Sequence, residues 1–215
     1  MADERGSRFS DDPERRSFVS RGGEKLDHAL RVFGVDPAGL VCADLGCSTG
    51  GFTDALLQRG AAKVFAVDTA YGELAWKLRN DPRVVVMERT NALHAEPPER
   101  VDLVVIDLGW TRQGRALPTA AAWLKAGGRI VTLVKPHYEL ETEELDRLAP
   151  GRVLPEHEAE RVAMEVIELL RGEGWKIEGV TKSPILGGAG KKSRGKGNAE
   201  WLALVEGARS AGESG

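Results

Sequence analysis

A glycine-rich turn is the first part of this sequence whose residue types and spacing could do chemistry. Residues 44–52 read D-L-G-C-S-T-G-G-F and lie between a predicted strand and a predicted helix. Glycine is needed where a backbone turns tightly beside a ligand, and the free N–H groups of the helix start face that ligand. Asp68 ends the next predicted strand, where an acid can bind the two ribose hydroxyls of an adenosine.

The glycine spacing favours S-adenosylmethionine (SAM) over a dinucleotide. A dinucleotide turn follows G-x-G-x-x-G, whereas Gly46 is followed here by Gly50 and Gly51. SAM has no pyrophosphate and carries a positive sulfonium and an amino-acid tail, so a carboxylate at Asp44 is favourable. A strand–helix turn without any ligand is the alternative at this point.

Three further polar residues end predicted strands, namely Asn91, Asp107 and Lys135. Ligands of open α/β sheets gather at the carboxyl ends of the strands. We therefore expect these side chains, together with Asp44 and Asp68, to line one crevice. Asn91 could read an adenine amino group, or it could be only a polar cap on a loop.

Alternating strands and helices must position these residues. The strand segments are β-branched and nearly continuous in apolar character, which is typical of strands buried on both faces of a parallel sheet. The alternation predicts an α/β, Rossmann-like fold with a seven-stranded, mostly parallel sheet and helices on both faces. The predicted strands are 41–45, 63–68, 84–88, 102–107, 129–134, 175–180 and 200–205. The predicted helices are 51–59, 71–79, 114–125, one that Ser20 caps and Gly34 ends, and one between Pro155 and Gly172.

Length and local composition predict a single domain at residues 20–207. A chain of 215 residues can bury one α/β core and is too short for two ordinary domains. Residues 1–19 and 208–215 are polar and lack apolar periodicity, which predicts flexible tails.

The overall composition excludes several classes of protein. A net charge of -3 excludes a generally basic surface, so any nucleic acid must bind a local patch. Cys42 and Cys47 surround one turn and do not suggest a disulfide, which indicates the cytoplasm. No apolar run reaches the roughly 18 residues of a membrane helix, and no histidine and cysteine spacing predicts a metal site.

Several sequence blocks resemble a known family. They are S-R-G-G-E-K-L (20–26), the turn at 44–54, A-V-D-T-A-Y-G-E-L-A-W-K-L-R-N-D-P-R-V (66–84), E-R-T-N-A (88–92), V-I-D (105–107), V-K-P (134–136) and N-A-E-W-L (198–202). Together they resemble the haemolysin-A-like branch of the FtsJ-like RNA 2′-O-methyltransferases over nearly all of 18–205. Members of this branch methylate ribosomal RNA and usually carry a small N-terminal RNA-binding domain, which we expect this chain to lack.

The resemblance implies a Lys–Asp–Lys–Glu set at the reaction centre, and Lys25, Asp107, Lys135 and Glu200 match it. It also implies that the SAM turn runs from Ser48 to Phe52 and that Asn91 reads the adenine. With the strand-end residues, the expected cofactor set is Asp44, Gly46, Ser48, Thr49, Gly50, Gly51, Phe52, Asp68, Asn91 and Asp107.

This residue set suits methyl transfer to a ribose 2′-hydroxyl. The sulfonium provides an excellent leaving group, so the enzyme must supply an aligned nucleophile that can lose its proton. We hypothesise that Lys135 is the base or oxyanion partner and that Asp107 orients it. Lys25 would hold the ribose or a phosphate, and Glu200 would position one of the two lysines. Taken singly, Lys25 could be an exposed helix lysine and Glu200 an edge-strand carboxylate.

Two segments depart from the family pattern. The family usually has V-S-F after the aspartate, whereas Leu108, Gly109 and Trp110 stand here. After Pro136, residues 137–144 are aromatic and acidic where relatives are glycine-rich. Both segments border the substrate side, so they bear on the substrate and not on the cofactor.

A loop at 182–196 could bind RNA phosphates or could be a solvated charge run. Its cations are Lys182, Lys191, Lys192, Arg194 and Lys196, and it contains no acid. Two other functions stay open at this point. One is a methyltransferase for a small molecule or a protein, and the other is a catalytically silent RNA-binding protein on the same scaffold.

Overall fold

The computed structural model describes residues 17–149, 151, 153–188 and 197–207 of the 215-residue chain. Its elements follow the order α1 (Gly22–Phe33), β1 (Val41–Leu45), α2 (Gly51–Gln58), β2 (Lys63–Val67), α3 (Trp76–Arg79), β3 (Val84–Met87), β4 (Val101–Ile106), α4 (Gln113–Trp123), β5 (Leu124–Val134), α5 (Pro136–Glu139), α6 (Thr142–Leu148), α7 (Glu156–Gly172), β6 (Ile177–Lys182) and β7 (Trp201–Glu206).

Within the described residues, seven strands form one sheet in the order β3-β2-β1-β4-β5-β7-β6. The pairs among β1 to β5 are parallel, whereas β7 lies antiparallel between β5 and β6. The strand order reverses between β1 and β4, which is where α/β sheets open a ligand crevice at the carboxyl ends of the strands. The predicted fold class is therefore confirmed.

Helices cover both faces of the sheet, as the two apolar clusters demonstrate. On one face, α1 and α2 pack through buried side chains that include Leu26, Leu30 and Leu56. On the other face, α4 and α7 pack through Trp123 and Ile167 and their neighbours. This explains why the central strands are apolar at most positions, because neither face of these strands meets water.

The structure corrects several predicted boundaries by one or a few residues. Helix α1 begins at Gly22 after Arg21, and no side chain caps it, so the predicted Ser20 cap is wrong. Gly34 does end α1, with a left-handed φ of 63°. Strand β5 begins at Leu124, inside the predicted helix 114–125. Strands β6 and β7 start later than predicted, at Ile177 and Trp201.

The predicted helix 71–79 is wrong over most of its length, because only Trp76–Arg79 is helical. The preceding residues form a loop that the Glu88 carboxylate holds. Glu88 accepts a hydrogen bond from the Gly72 backbone N–H at 2.9 Å and pairs with the Arg79 guanidinium. The bond to Glu88 satisfies the Gly72 N–H without a helical hydrogen bond, so this segment need not form a helix.

Residues 17–19 contact the domain, although the prediction assigned them to the N-terminal tail. The Val19 N–H donates to Asp54 Oδ2 at 2.8 Å, and the Ser17 carbonyl accepts from Gln58. Residues 1–16 and 208–215, which complete the two predicted tails, lie outside the described residues. No helix among the described residues is long and apolar enough to cross a membrane.

Candidate active site

The glycine turn lies at the switch point of the sheet, between β1 and β4. Gly46 has a left-handed φ of 92°, and a Cβ atom there would fall 2.6 Å from the Asp107 carbonyl oxygen. Gly50 has a φ of 98°, and its Cβ would fall 2.3 Å from a Leu78 methyl. Both positions therefore require glycine, for conformation and for space.

The turn also touches the start of α1. A Cβ atom on Gly51 would lie 2.8 Å from the Gly23 backbone nitrogen, so the first turns of α1 and α2 approach backbone to backbone. The S-R-G-G block and the glycine turn thus form one contact. This contact carries Lys25, one helical turn further along α1, to the edge of the crevice.

Asp44 lies beneath the turn and is fully buried. Its Oδ2 accepts hydrogen bonds from the Thr53 backbone N–H at 2.8 Å and the Thr53 hydroxyl at 2.6 Å. Its Oδ1 has no hydrogen-bond partner among the described residues. Burial, with the neighbouring charges of Asp107 and Asp68, raises the pKa of Asp44 to about 7, against the opposing effect of Thr53.

Asp68 and Asn91 stand on the opposite side of the turn. Asp68 accepts hydrogen bonds from the backbone N–H groups of Ser48 and Ala70, each at 2.8 Å. Ser48 holds a left-handed φ of 45°. Asn91 is exposed, and its side-chain oxygen accepts from the Leu93 N–H at 3.0 Å.

Two adjoining cavities flank the turn and share Gly46, Ser48 and Asp107. One has a volume of about 340 Å³ and reaches Lys25 and Phe52. The other has a volume of about 400 Å³ and reaches Asp68, Asn91 and Trp110. Of the expected cofactor residues, seven therefore line the crevice, namely Gly46, Ser48, Gly51, Phe52, Asp68, Asn91 and Asp107.

The other expected cofactor residues line neither cavity. Asp44 and Gly50 are buried behind the turn, and the Thr49 carbonyl accepts from the Ala75 N–H at 3.1 Å. Of the five strand-end side chains expected to line one crevice, Asp68, Asn91 and Asp107 line the cavities, whereas Lys135 and Asp44 line neither. Asp44 shapes the turn from behind.

The sheet register brings together the four residues expected at the reaction centre. Strands β5 and β7 pair Val134 with Trp201, so Lys135, which follows Val134, and Glu200, which precedes Trp201, are neighbours across the antiparallel ladder. Asp107 follows β4, the strand beside β5. The charges of Lys25, Lys135 and Asp107 all act on the pKa of the Glu200 carboxyl, which places the four side chains close together.

These four side chains form two ion pairs. Lys25 donates to Glu200 Oε2 at 2.5 Å, and both side chains are buried. Burial raises the pKa of Glu200, and Lys25 opposes that shift. Lys135 pairs with Asp107 and also donates to the Leu108 carbonyl at 3.3 Å.

Gly187 is a structural residue of this site that the sequence did not single out. A Cβ atom on Gly187 would fall 1.8 Å from Glu200 Oε1. Gly187 also exchanges two backbone hydrogen bonds with Asn198, at 2.9 and 3.1 Å. Gly187 is buried within the predicted basic loop, and its lack of a side chain leaves room for the Glu200 carboxylate.

Only part of the predicted basic loop lies within the described residues. Lys182 pairs with Glu156, and its amine lies 5.7 Å from the centroid of the Trp201 ring. Lys191, Lys192, Arg194 and Lys196 lie outside the described residues.

No group of three or more metal-ligating side chains that could hold an ion occurs among the described residues. His157 is exposed on α7, and His137 is half-buried with a ring Nδ1 that lacks a hydrogen-bond partner among the described residues. Burial and the nearby Lys135 lower the pKa of His137 to about 4.

A mostly parallel α/β sheet with a glycine turn and acids at its switch point defines a Rossmann-like domain with a site for a nucleoside-type ligand. The FtsJ-like methyltransferase model matches residues 18–200. The chain belongs to the FtsJ-like methyltransferase family.

Individual relatives agree with this assignment. The chain is 45% identical over 181 residues to the 16S/23S rRNA (cytidine-2′-O)-methyltransferase TlyA of Mycobacterium tuberculosis, covering 81% of this chain and 66% of that protein. It is 36% identical to hemolysin A of Brachyspira hyodysenteriae, covering 86% of this chain and 75% of that protein. The fold also matches the crystal structure of a Lactococcus lactis protein described as a hemolysin, with a TM-score of 0.79, 34% identity and 90% of each chain covered.

Proposed function

We propose that this chain is a SAM-dependent methyltransferase that transfers a methyl group to a ribose 2′-hydroxyl of RNA, and that the RNA is ribosomal. The observation that carries the proposal is the Lys135–Asp107 pair beside the crevice, next to the Lys25–Glu200 pair. Membership of the FtsJ-like family and the name of the M. tuberculosis relative support it. The chain spans slightly less than two thirds of that relative's length.

The residues of the crevice fit SAM. The cofactor combines an adenosine with a positively charged sulfonium and an ammonium group, and three carboxyls converge here, from Asp44, Asp68 and Asp107. Behind the turn, Asp44 Oδ1 has no hydrogen-bond partner among the described residues and is therefore a buried acceptor. A cation nearby would satisfy that oxygen and favour its ionised form.

We assign Asp68 to the ribose hydroxyls of the cofactor and Asn91 to its adenine. Gly46, Ser48, Gly51 and Phe52 would form the wall of the turn, and Asp44, Thr49 and Gly50 would hold the turn in shape. When bound, SAM supplies a methyl group on an excellent leaving group. Every other contribution comes from the side chains of this chain.

Lys135 is the residue that would accept the proton of the ribose hydroxyl or stabilise the negative charge on its oxygen. Its amine is held by the Asp107 carboxylate and the Leu108 carbonyl, so its position is set before an RNA arrives. An amine fixed at that point can orient the hydroxyl, and in its neutral form it can accept the hydroxyl proton. Asp107 would orient Lys135 and keep the site negative toward a sulfonium.

Lys25 would hold the ribose or the adjoining phosphate. The Glu200 carboxylate fixes its amine at 2.5 Å, so Glu200 acts through Lys25. Lys182, with Lys191, Lys192, Arg194 and Lys196, would add phosphate contacts. The proposal implies a cytoplasmic protein, since ribosomal RNA is found there.

In vitro transcribed 16S and 23S ribosomal RNA, which carries no methyl groups, tests the proposal. Purified protein and labelled SAM should place 2′-O-methyl groups at defined nucleotides, mapped by resistance of the adjoining bond to alkaline hydrolysis. Lys135→Ala should lower single-turnover methylation by about 10²- to 10⁴-fold, with SAM binding unchanged by calorimetry.

Three results would contradict the proposal. Transfer to protein or small molecules in an RNA-free extract would assign a different substrate. RNA binding without SAM binding would indicate a silent scaffold. Lys135→Ala with wild-type single-turnover rates would remove Lys135 from the reaction centre.

A further inference from the structure

The two segments that depart from the family pattern contact each other in the structure. The Trp110 ring packs on the Tyr138 ring, with centroids 4.6 Å apart and planes inclined by 34°. Arg112 pairs with Glu141 at 2.9 Å. Segments that are separate in the sequence therefore form one unit, and we name its ring pair, Trp110 and Tyr138, the aromatic wall.

Glu139 fastens this unit to the body of the protein. Its Oε1 accepts a hydrogen bond at 3.0 Å from the backbone N–H of Gln113, the first residue of α4. The Gln113 side chain in turn donates to the Leu133 carbonyl of β5 and accepts from the Thr132 hydroxyl at 2.7 Å. Hydrogen bonds at the start of α4 and the end of β5 thus hold the segment that carries Tyr138.

The outer ring of the aromatic wall is displayed to solvent. Trp110 is 79% exposed although it packs on Tyr138. Its backbone has a φ of 57°, a left-handed conformation that non-glycine residues rarely adopt. A large apolar ring held outward in an unfavourable backbone conformation gains little from the core, and such features concentrate at ligand sites.

The aromatic wall stands beside the proposed reaction centre. Trp110 lines the same cavity as Asp107 and Asn91. The Lys135 amine lies 5.7 Å from the centroid of the Tyr138 ring. Any group that packs on the wall is therefore close to the Lys135–Asp107 pair.

We infer that the aromatic wall is a binding site for a nucleobase, the base of the nucleotide whose ribose enters the reaction centre. This inference rests on the proposed function. A nucleotide that leaves the helical stack can bring its ribose hydroxyl to the Lys135 amine, and an unstacked base is held by packing on aromatic side chains. Stacking accepts any base, so the wall fixes position and leaves base identity to other groups.

A binding measurement tests the inference without requiring catalysis. Fluorescence anisotropy would compare a short single-stranded RNA of mixed sequence with an RNA of the same length made of abasic ribose units. The wild type should bind the base-containing RNA more tightly. Trp110→Ala should weaken that binding roughly 10-fold and leave the abasic RNA unaffected, whereas Trp110→Phe should retain most of the preference.

Trp76→Ala is the matched control, because Trp76 is 78% exposed and lies on α3, outside both cavities. The exposure of Trp110 means that its replacement should leave the fold intact. A loss of SAM affinity in Trp110→Ala, measured by calorimetry, would place the ring in the cofactor site and overturn the inference, because Trp110 lines the same cavity as Asp68 and Asn91.

Equal binding of both RNAs by the wild type would overturn the inference, and so would wild-type behaviour of Trp110→Ala. An equal loss in Trp76→Ala would mean that exposed tryptophans bind RNA without a specific site. Methyl transfer to ribosomal RNA, measured in parallel, separates the two proposals. If the wild type transfers no methyl group, and Trp110→Ala still abolishes the preference for base-containing RNA, the proposed function is wrong and the nucleobase site stands.

Discussion

The two lysine–carboxylate pairs of the site differ in how far water reaches them. In the Lys25–Glu200 pair the side chains are 10% and 4% exposed, whereas in the Lys135–Asp107 pair they are 14% and 26% exposed. The first pair joins a helix to the last strand, and the second joins the ends of two neighbouring parallel strands. The protein thus contains one lysine–carboxylate pair that is shielded from water and one that water reaches more easily.

This difference assigns the two pairs different work. A buried ion pair is costly to form and very costly to break, because the remaining charge has no water to solvate it. Such a pair fixes geometry. A pair at an opening can exchange its partner for a ligand group, since water can solvate the displaced charge. The Lys135–Asp107 pair is therefore the one suited to take part in a reaction.

The largest effect should come from breaking the buried pair from one side. Glu200→Ala leaves the Lys25 ammonium buried without its partner and should lower the free energy of unfolding by about 3–5 kcal/mol. Asp107→Ala should lower the free energy of unfolding by less, because water reaches the Lys135–Asp107 pair more easily. Chemical denaturation of the two variants measures this contrast.

A double replacement checks the cause. Lys25→Met with Glu200→Leu removes both charges and should recover most of the stability lost in Glu200→Ala. Equal destabilisation by Glu200→Ala and Asp107→Ala would mean that the two pairs do not differ in the way proposed.

A smaller effect should follow from pushing Glu200 aside without removing it. In Gly187→Ala the new methyl group would collide with the Glu200 carboxylate, so the ion pair with Lys25 must lengthen. We expect a loss of about 2–3 kcal/mol in the free energy of unfolding, with reduced methyl transfer. Gly188→Ala is the control for the loop, although it carries its own cost from a φ of 66°.

The combination of variants sharpens this reading. Gly187→Ala added to Glu200→Ala should cost little more than Glu200→Ala alone, because the carboxylate is already gone. Additive losses would place the effect of Gly187 in its bridge with Asn198 instead.

The smallest effect concerns Asp44, a carboxyl buried as deeply as Glu200 but without an ion pair among the described residues. Because burial raises its pKa to about 7, the folded state holds this proton more tightly than the unfolded chain. The contribution of Asp44 to stability is therefore full at acidic pH and is lost as the pH rises from about 4 toward 7.

Asp44→Asn should flatten this pH dependence. Between pH 6 and pH 8, the fall in the free energy of unfolding should be roughly 1–2 kcal/mol smaller in the variant than in the wild type. Parallel pH profiles for wild type and Asp44→Asn would mean that Asp44 titrates normally in the fold.

The cofactor side of the crevice was predictable from the sequence because its residues are local to strand ends. The glycine turn, Asp68 and Asp107 each follow a short apolar run, and parallel strands end at the same edge of a sheet. The joint placement of Lys25 and Glu200 required the family resemblance, since nothing local to either residue indicates a partner.

The acceptor side was not predictable in the same way. Which loops meet is decided by tertiary packing, so the contact of Trp110 with Tyr138 and the space that Gly187 leaves for Glu200 have no local signal. Helices α5 and α6 were missed because their segment was interpreted only as a departure from the family pattern. The loop before α3 was wrongly assigned to a helix because it is held by Glu88, a residue after β3 that the local sequence does not indicate as a partner.

The antiparallel insertion of β7 has a consequence for when the protein can work. This strand is the last in chain order among the described residues, yet it occupies an interior position in the sheet and brings Glu200 to Lys25. During synthesis β5 and β6 precede it, and within the described residues β6 joins the sheet only through β7. Glu200 therefore reaches Lys25, Asp107 and Lys135 only after almost all of the described chain has been made, and a shorter chain lacks the complete set of four side chains.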